Sequence, residues 1–280
     1  MENQTLQIDI KSIIRGKNPK LLPWIPGFVL RWIGKLIHER ELNESLSRLG
    51  NKTGIDFIRG ALDELGIFSK ASGFDQLPDQ GRFLFVSNHP LGGLDGMVMM
   101  EYIARKFPNV KFVVNDLLMN LNPLKDVFLP VNKHGRQSVT YARMIDQGFR
   151  SDAQILYFPA GICSRKSKGT ISDLIWNPNF VKKAIHYQRD IIPVYFEGRN
   201  SDFFYRLAHW RKKMGIRFNF EMLWLVDEMF KQKGSCLKIH FGEPIPCSSL
   251  SPSVSASEWS KQIRDKVYAL SPDKNQQTRC

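Results

Sequence analysis

Phe83-Leu84-Phe85-Val86-Ser87-Asn88-His89-Pro90-Leu91-Gly92-Gly93-Leu94-Asp95-Gly96 is the stretch that decides how this chain is organised. It opens on an unbroken apolar run, the pattern of a short strand buried on both faces, and a strand is predicted over 83–87. The run then gives way to a loop with two adjacent glycines, which let the backbone turn sharply and approach a ligand closely. His89 and Asp95 stand at the two ends of that loop. A histidine oriented by a carboxylate takes a proton from a hydroxyl near neutral pH. Asp95 also stands where the next helix should begin, so a helix N-cap is its structural alternative, and both roles are compatible.

The same alternation continues downstream. Helices are expected over 94–106, 136–149 and 178–187. Strands are expected at 110–114, 154–158, 191–196 and 237–241, with a short element at 127–131. Strands alternating with helical patterns predict an α/β fold, a central mixed sheet flanked by helices. Pro193 marks its strand as an edge or as locally irregular.

Upstream the character is helical. Residues 43–69 read as one or two helices. The most hydrophobic segment, 21–37, holds Pro23, Pro26, Arg31 and Lys35, which argues against a membrane span. Its helical period puts Val29, Ile33, Leu36 and Ile37 on one face and Arg31, Lys35 and His38 on another. A basic, Trp-bearing amphipathic helix lies in a membrane interface, which makes Trp24, Phe28, Arg31, Trp32 and Lys35 candidate membrane contacts. A helix packed on the body of the protein is the alternative. The expected organisation is an N-terminal helical, membrane-associating region at 1–75, a catalytic domain at 76–270 and a flexible tail at 271–280.

The chain has 280 residues, 42% of them hydrophobic, which is ample for a core. Its net charge of +13 attracts polyanions: nucleic acid, an anionic membrane or an acidic protein or cofactor. Four cysteines without metal-ligand spacing suggest a reducing compartment, and no bound metal is expected.

Further polar loops follow other strands. In Tyr157-Phe158-Pro159-Ala160-Gly161-Ile162-Cys163-Ser164-Arg165, Gly161 frees the turn, and Ser164 and Arg165 offer donors to an anion; a solvated basic turn is the alternative. Asn132-Lys133-His134-Gly135-Arg136 is a second basic loop. Residues 203–233 are aromatic and basic and read as an amphipathic helical stretch.

The order of these blocks resembles the glycerolipid acyltransferase superfamily, which contains the lysophosphatidic acid acyltransferases. Asn88-His89 with Asp95-Gly96 resembles its histidine–aspartate motif. Phe158 to Arg165 resembles its Phe-Pro-Glu-Gly-Thr-Arg-Ser block, and Ile192-Pro193-Val194 its late proline block. Two departures stand out: five residues rather than four separate His89 from Asp95, and Ala160 replaces the block's Glu. Both departures, with Trp24-Ile25-Pro26-Gly27-Phe28, resemble the hemolysin-like branch, which acylates lyso-ornithine or lyso-glycine lipids.

The resemblance implies an O-acyltransferase of lipid biosynthesis, moving a fatty acyl group from a thioester of acyl carrier protein or CoA to a lyso-lipid hydroxyl. His89 would be the base and Asp95 its orienting partner. Ser164, Arg165 and Arg136 would hold the acceptor, and amides near Gly92, Gly93 or Gly161 the oxyanion. It implies no bound cofactor and a peripheral place on the cytoplasmic face of the membrane. Phosphatidic acid synthesis from 1-acylglycerol-3-phosphate is the nearer rival. A basic nucleic-acid-binding module is the remote one: no nucleic-acid partner is expected, since no binding motif is present. A hydrolase lacks its G-x-S-x-G elbow.

Overall fold

The computed structural model describes residues 8–17, 22–131, 138–167, 169–216 and 218–272. Helices α1 (Ile10–Lys17), α2 (Gly27–Leu36), α3 (Glu39–Leu49) and α4 (Gly54–Glu64) come first. They lead to β1 (Phe68–Ser72), β2 (Phe83–Ser87), α5 (Gly93–Ile103), β3 (Val110–Asn115), β4 (Phe128–Val131), α6 (Val139–Arg150) and β5 (Gln154–Tyr157). A small hairpin follows, β6 (Arg165–Ser167) and β7 (Thr170–Ser172), then α7 (Asn179–Tyr187), β8 (Asp190–Phe196), α8 (Asp202–Lys213), α9 (Leu225–Phe230), β9 (Cys236–Phe241) and α10 (Ala256–Ala269).

Side-chain alternation along the strands builds the layers. Phe83 and Phe85 of β2 enter one hydrophobic cluster with α4 and α5, while Leu84 and Val86 enter another with α6, α7 and α10. Successive apolar residues of β2 therefore feed opposite cores, and every residue of β2 is buried. The fold is α/β: a mixed seven-stranded sheet in the order β1-β9-β8-β2-β5-β3-β4, flanked by helices. All neighbours are parallel except β8 and β9. Strands β8, β2 and β5 are adjacent and parallel, so the loops leaving their C-terminal ends share one edge, where open α/β sheets place their ligand sites.

The opposite edge is tied down by a buried cation. Arg189 is sealed from solvent, and its guanidinium donates to the carbonyls of Phe149, Phe83, Ala153, Gly148 and Ser151. Burial pushes its pKa down to about 10. Gln154 adds bonds to Phe83 N–H and to the Gly81 carbonyl.

Three sequence expectations change. The helical reading of 43–69 stops at Glu64, and Phe68 begins β1, which pairs along β9; the sheet thus begins upstream of residue 76. Pro193 does not mark an edge, because β8 lies inside the sheet between β9 and β2. It marks an irregularity: pairing shifts by one residue between Val194–Phe241 and Ile191–Ile245. Pro193, which has no N–H to offer, falls in that gap and only accepts, from Gly242 N–H at 2.8 Å. Asp95 is not the N-cap of α5; Gly92 is, and Asp95 lies in the first turn.

Candidate active site

Asp95 is completely buried, and donors surround it. Its oxygens accept from Leu91 N–H at 2.9 Å and Gly96 N–H at 2.8 Å, and both lie 3.1 Å from His89 Nδ1. The positive end of α5 favours a carboxylate there. Gly92 makes the turn possible: it holds φ +80, and a Cβ on it would meet Leu225 Cδ1 at 2.9 Å. The His89 ring stacks on Phe158, with centroids 4.2 Å apart and planes 18° apart, and its side chain keeps 15% exposure. With the carboxylate on Nδ1, the ring carries its hydrogen there, which leaves Nε2 as the basic nitrogen.

The loop bearing His89 is clasped from both sides. Towards β8, Asn88 exchanges hydrogen bonds with the Phe196 backbone, and Asn200 Nδ2 donates to the Pro90 carbonyl. Towards β5, Ser164 N–H donates to the His89 carbonyl at 2.7 Å. The buried carboxylate of Asp173 joins these pieces, accepting from Ser164 Oγ (2.6 Å), Trp176 Nε1 (2.9 Å) and His89 N–H (3.2 Å). Burial pushes the Asp173 pKa above the usual carboxylate range, against the pull of those donors. The sequence-predicted dyad and the Pro-Ala-Gly turn therefore share one edge of the sheet.

The other predicted residues fall into separate roles. Ser164 is 2% exposed with its hydroxyl committed to Asp173, so it clasps the loop rather than offering a hydroxyl to an acceptor. Arg165 is 13% exposed and bonded to Glu221 Oε1 at 3.0 Å and to the Cys163 carbonyl at 2.8 Å. Its guanidinium lies 5.5 Å from the Phe204 ring centroid. The Cys163 thiol is buried, which pushes its pKa up and leaves it a poor nucleophile. Gly161 holds φ +65, and its N–H closes a turn on the Phe158 carbonyl at 3.1 Å. Gly93 opens α5, where first-turn amides lack intrahelical partners, and nothing lies within 4 Å of where its Cβ would stand. Arg136 lies outside the described residues. Asp173, Asn200 and Glu221 were not singled out by sequence, because each is a lone polar residue whose partners lie on distant segments.

The N-terminal helices dock by one side. Leu30 of α2 is buried, and His38 stacks on Phe230 at 4.1 Å with Nε2 3.1 Å from Asp227 Oδ1. Trp24 is 84% exposed, Phe28 66% and Trp32 51%, and Arg31 and Lys35 are exposed beside them. Trp32 meets Trp224 edge-on at 5.7 Å, and Trp224 meets Phe203 of α8 at 5.9 Å. The aromatic ridge thus runs from α2 towards Leu225, the residue packed at Gly92. No described helix is long and apolar enough to cross a membrane.

A buried carboxylate holding a histidine where parallel strands end is an arrangement that can activate a hydroxyl. Comparison with known proteins specifies the class. A family model described as Acyltransferase matches residues 12–276. The lyso-glycine lipid O-acyltransferase of Bacteroides thetaiotaomicron is 43% identical over 264 residues, spanning 94% of this chain and 97% of that protein. A protein of the same description from Phocaeicola vulgatus is 42% identical over 264 residues, spanning 94% and 95%. The crystal structure of the 1-acyl-sn-glycerophosphate acyltransferase PlsC from Thermotoga maritima aligns over 93% of this chain and 95% of that one, with 14% identity and a TM-score of 0.49. The chain belongs to this acyltransferase family and is an acyltransferase of lipid biosynthesis.

Proposed function

We propose that this enzyme acylates the hydroxyl of a lyso-glycine lipid, using a fatty acyl thioester of acyl carrier protein or CoA as donor, on the cytoplasmic face of the membrane. The observation that carries this reading is the His89–Asp95 pair, with both carboxylate oxygens 3.1 Å from Nδ1 at the shared strand edge. His89 Nε2 takes the hydroxyl proton as that oxygen attacks the thioester carbonyl. Asp95 fixes the ring and stabilises the imidazolium. The tetrahedral oxyanion collapses with loss of the C–S bond, and the proton passes from His89 to the departing sulfur. Gly93, at the positive end of α5, is the better placed of the loop amides for the oxyanion, since Gly161 N–H is engaged in its own turn.

The acceptor is argued from charge. In the family block Phe-Pro-Glu-Gly-Thr-Arg-Ser, the Glu and Arg positions fall on Ala160 and Cys163. Arg165, the described cation of the candidate acceptor set, is already paired with a buried carboxylate. That set suits a headgroup with less charge than a phosphate monoester, which carries roughly −1.5 to −2 at pH 7. Glycine linked through its nitrogen to a fatty chain presents one carboxylate, and the hydroxyl to be acylated then lies on the chain. The two curated relatives agree with this acceptor by description. Incubating the enzyme with an acyl donor and either an N-(hydroxyacyl)glycine or a 1-acylglycerol 3-phosphate tests it. Faster O-acylation of the glycine lipid is expected, and preference for the phosphate would reverse the assignment.

The exposed ridge Trp24-Phe28-Trp32, with Arg31 and Lys35, supports membrane association. Basic residues near an anionic surface contribute about 1 kcal/mol each, screened by salt. The protein is expected to sediment with phosphatidylserine-containing vesicles at low salt, and Phe28→Ser with Trp32→Ser to weaken this about tenfold or more. Equal sedimentation of the double variant would remove the ridge from the contact.

A further inference from the structure

Behind Arg165 lies a charge cluster that the acyl-transfer steps above do not use. Glu221 is fully buried. Arg165 Nη2 lies 3.0 Å from its Oε1, and Arg211 Nε, on α8, lies 2.7 Å from its Oε2. The two arginine side chains are only 13% and 14% exposed. The second contact is close but out of line for a good hydrogen bond, leaving Glu221 Oε2 and Arg211 Nε poorly satisfied in a site that excludes water. A carboxylate placed there for stability alone is hard to justify, because burying three charges costs more than packing apolar side chains. Its position beside the turn tied to the histidine loop offers another reason: Ser164, next to Arg165, is bonded directly to the His89 carbonyl.

We propose that Glu221 is a specificity-determining residue, which sets the net charge of the Arg165–Glu221–Arg211 cluster at +1 and so matches it to an acceptor with a single carboxylate. This rests on the acceptor reading above and deepens it. With Glu221 in place, a monoanion completes the charge balance, while a phosphate monoester brings surplus negative charge towards a buried carboxylate. Like-charge juxtaposition of that kind rejects the wrong partner. Arg165 meets the headgroup, and Glu221 acts through Arg165.

A charge series tests this. Wild type, Glu221→Gln, Arg211→Met and the double variant give clusters of +1, +2, 0 and +1. For each, kcat/KM is measured with an N-(hydroxyacyl)glycine and with a 1-acylglycerol 3-phosphate of equal chain length. The ratio of the two values is independent of how much of each preparation is active. Glu221→Gln is expected to shift the ratio roughly tenfold or more towards the phosphate, Arg211→Met to shift it the other way, and the double variant to restore it. Should Glu221→Gln fail to fold, Arg211→Met and the double variant still decide, since a structural role would lower both substrates together. A ratio that stays constant across the folded variants overturns the role of Glu221. A wild-type enzyme inert towards the glycine lipid overturns the acceptor reading itself.

Discussion

His89→Ala is expected to fold normally and to lose acyl transfer by about 10²–10⁴-fold, the range that a positioned general base supplies. The loss should appear in kcat, because the imidazole acts on the proton in flight and contributes little to holding either substrate. The fold should survive, because the loop's ties run through backbone and neighbours: Ser164 N–H to the His89 carbonyl, Asn88 to Phe196, and Asn200 to Pro90. The ring's contacts include the Asp95 carboxylate and the face of Phe158. Steady-state transfer to the lyso-lipid, with a thermal melt as the folding control, measures both. Activity within a few-fold of wild type would remove His89 from the role of base. Asp95→Asn separates orientation from packing, since it is nearly isosteric but turns an amide donor towards Nδ1 and favours the wrong tautomer. A loss on the order of 10²-fold or more is expected from that inversion. Unchanged turnover would leave Asp95 as a structural acceptor for Leu91 and Gly96.

How much of this was legible in the sequence depends on how local each signal is. β2 was readable because a strand buried on both faces is written as an unbroken apolar run, and the expected span 83–87 is the observed one. The loop after it was readable because both members of the pair lie within one loop and helix turn. β1 was not: Phe-Ser-Lys-Ala-Ser is a half-exposed edge strand with little apolar signal, identified by pairing with β9 some 170 residues away. α10 carries a local signal in the capping pattern Ser255-Ala256-Ser257-Glu258, where Ser255 accepts from Glu258 N–H. Ser164 and Arg165 were found by motif but their partners were not, because what they touch lies elsewhere. Arg165 and Glu221 are 56 positions apart, and the His89 amide and Asp173 are 84 apart. Spacing within a motif shows which chemistry is possible; distant single residues decide which groups remain available to a substrate.

Asp173→Ala carries the largest expected cost to stability, and the reason is the number of donors that one buried carboxylate serves. Removing it takes the acceptor away from Ser164 Oγ–H, Trp176 Nε1–H and His89 N–H. An unsatisfied buried donor costs about 1–3 kcal/mol, so the expected loss is about 3–6 kcal/mol after partial relaxation. Asp173→Asn should fall between. Its single carbonyl oxygen can still accept from Ser164 and His89, but its amino group then confronts the Trp176 indole N–H, leaving about 1–3 kcal/mol of the cost. Urea midpoints at constant m-value measure the series. The catalytic consequence runs in the same order, because Asp173 joins the loop of His89 to the turn of Arg165. When that clasp loosens, His89 and the turn that carries Arg165 no longer hold a common geometry, and a misplacement near 1 Å costs roughly 10²-fold in rate. If Asp173→Ala melted with the wild type, the clasp would be dispensable, and the alignment of the two loops would have to come from the strands alone.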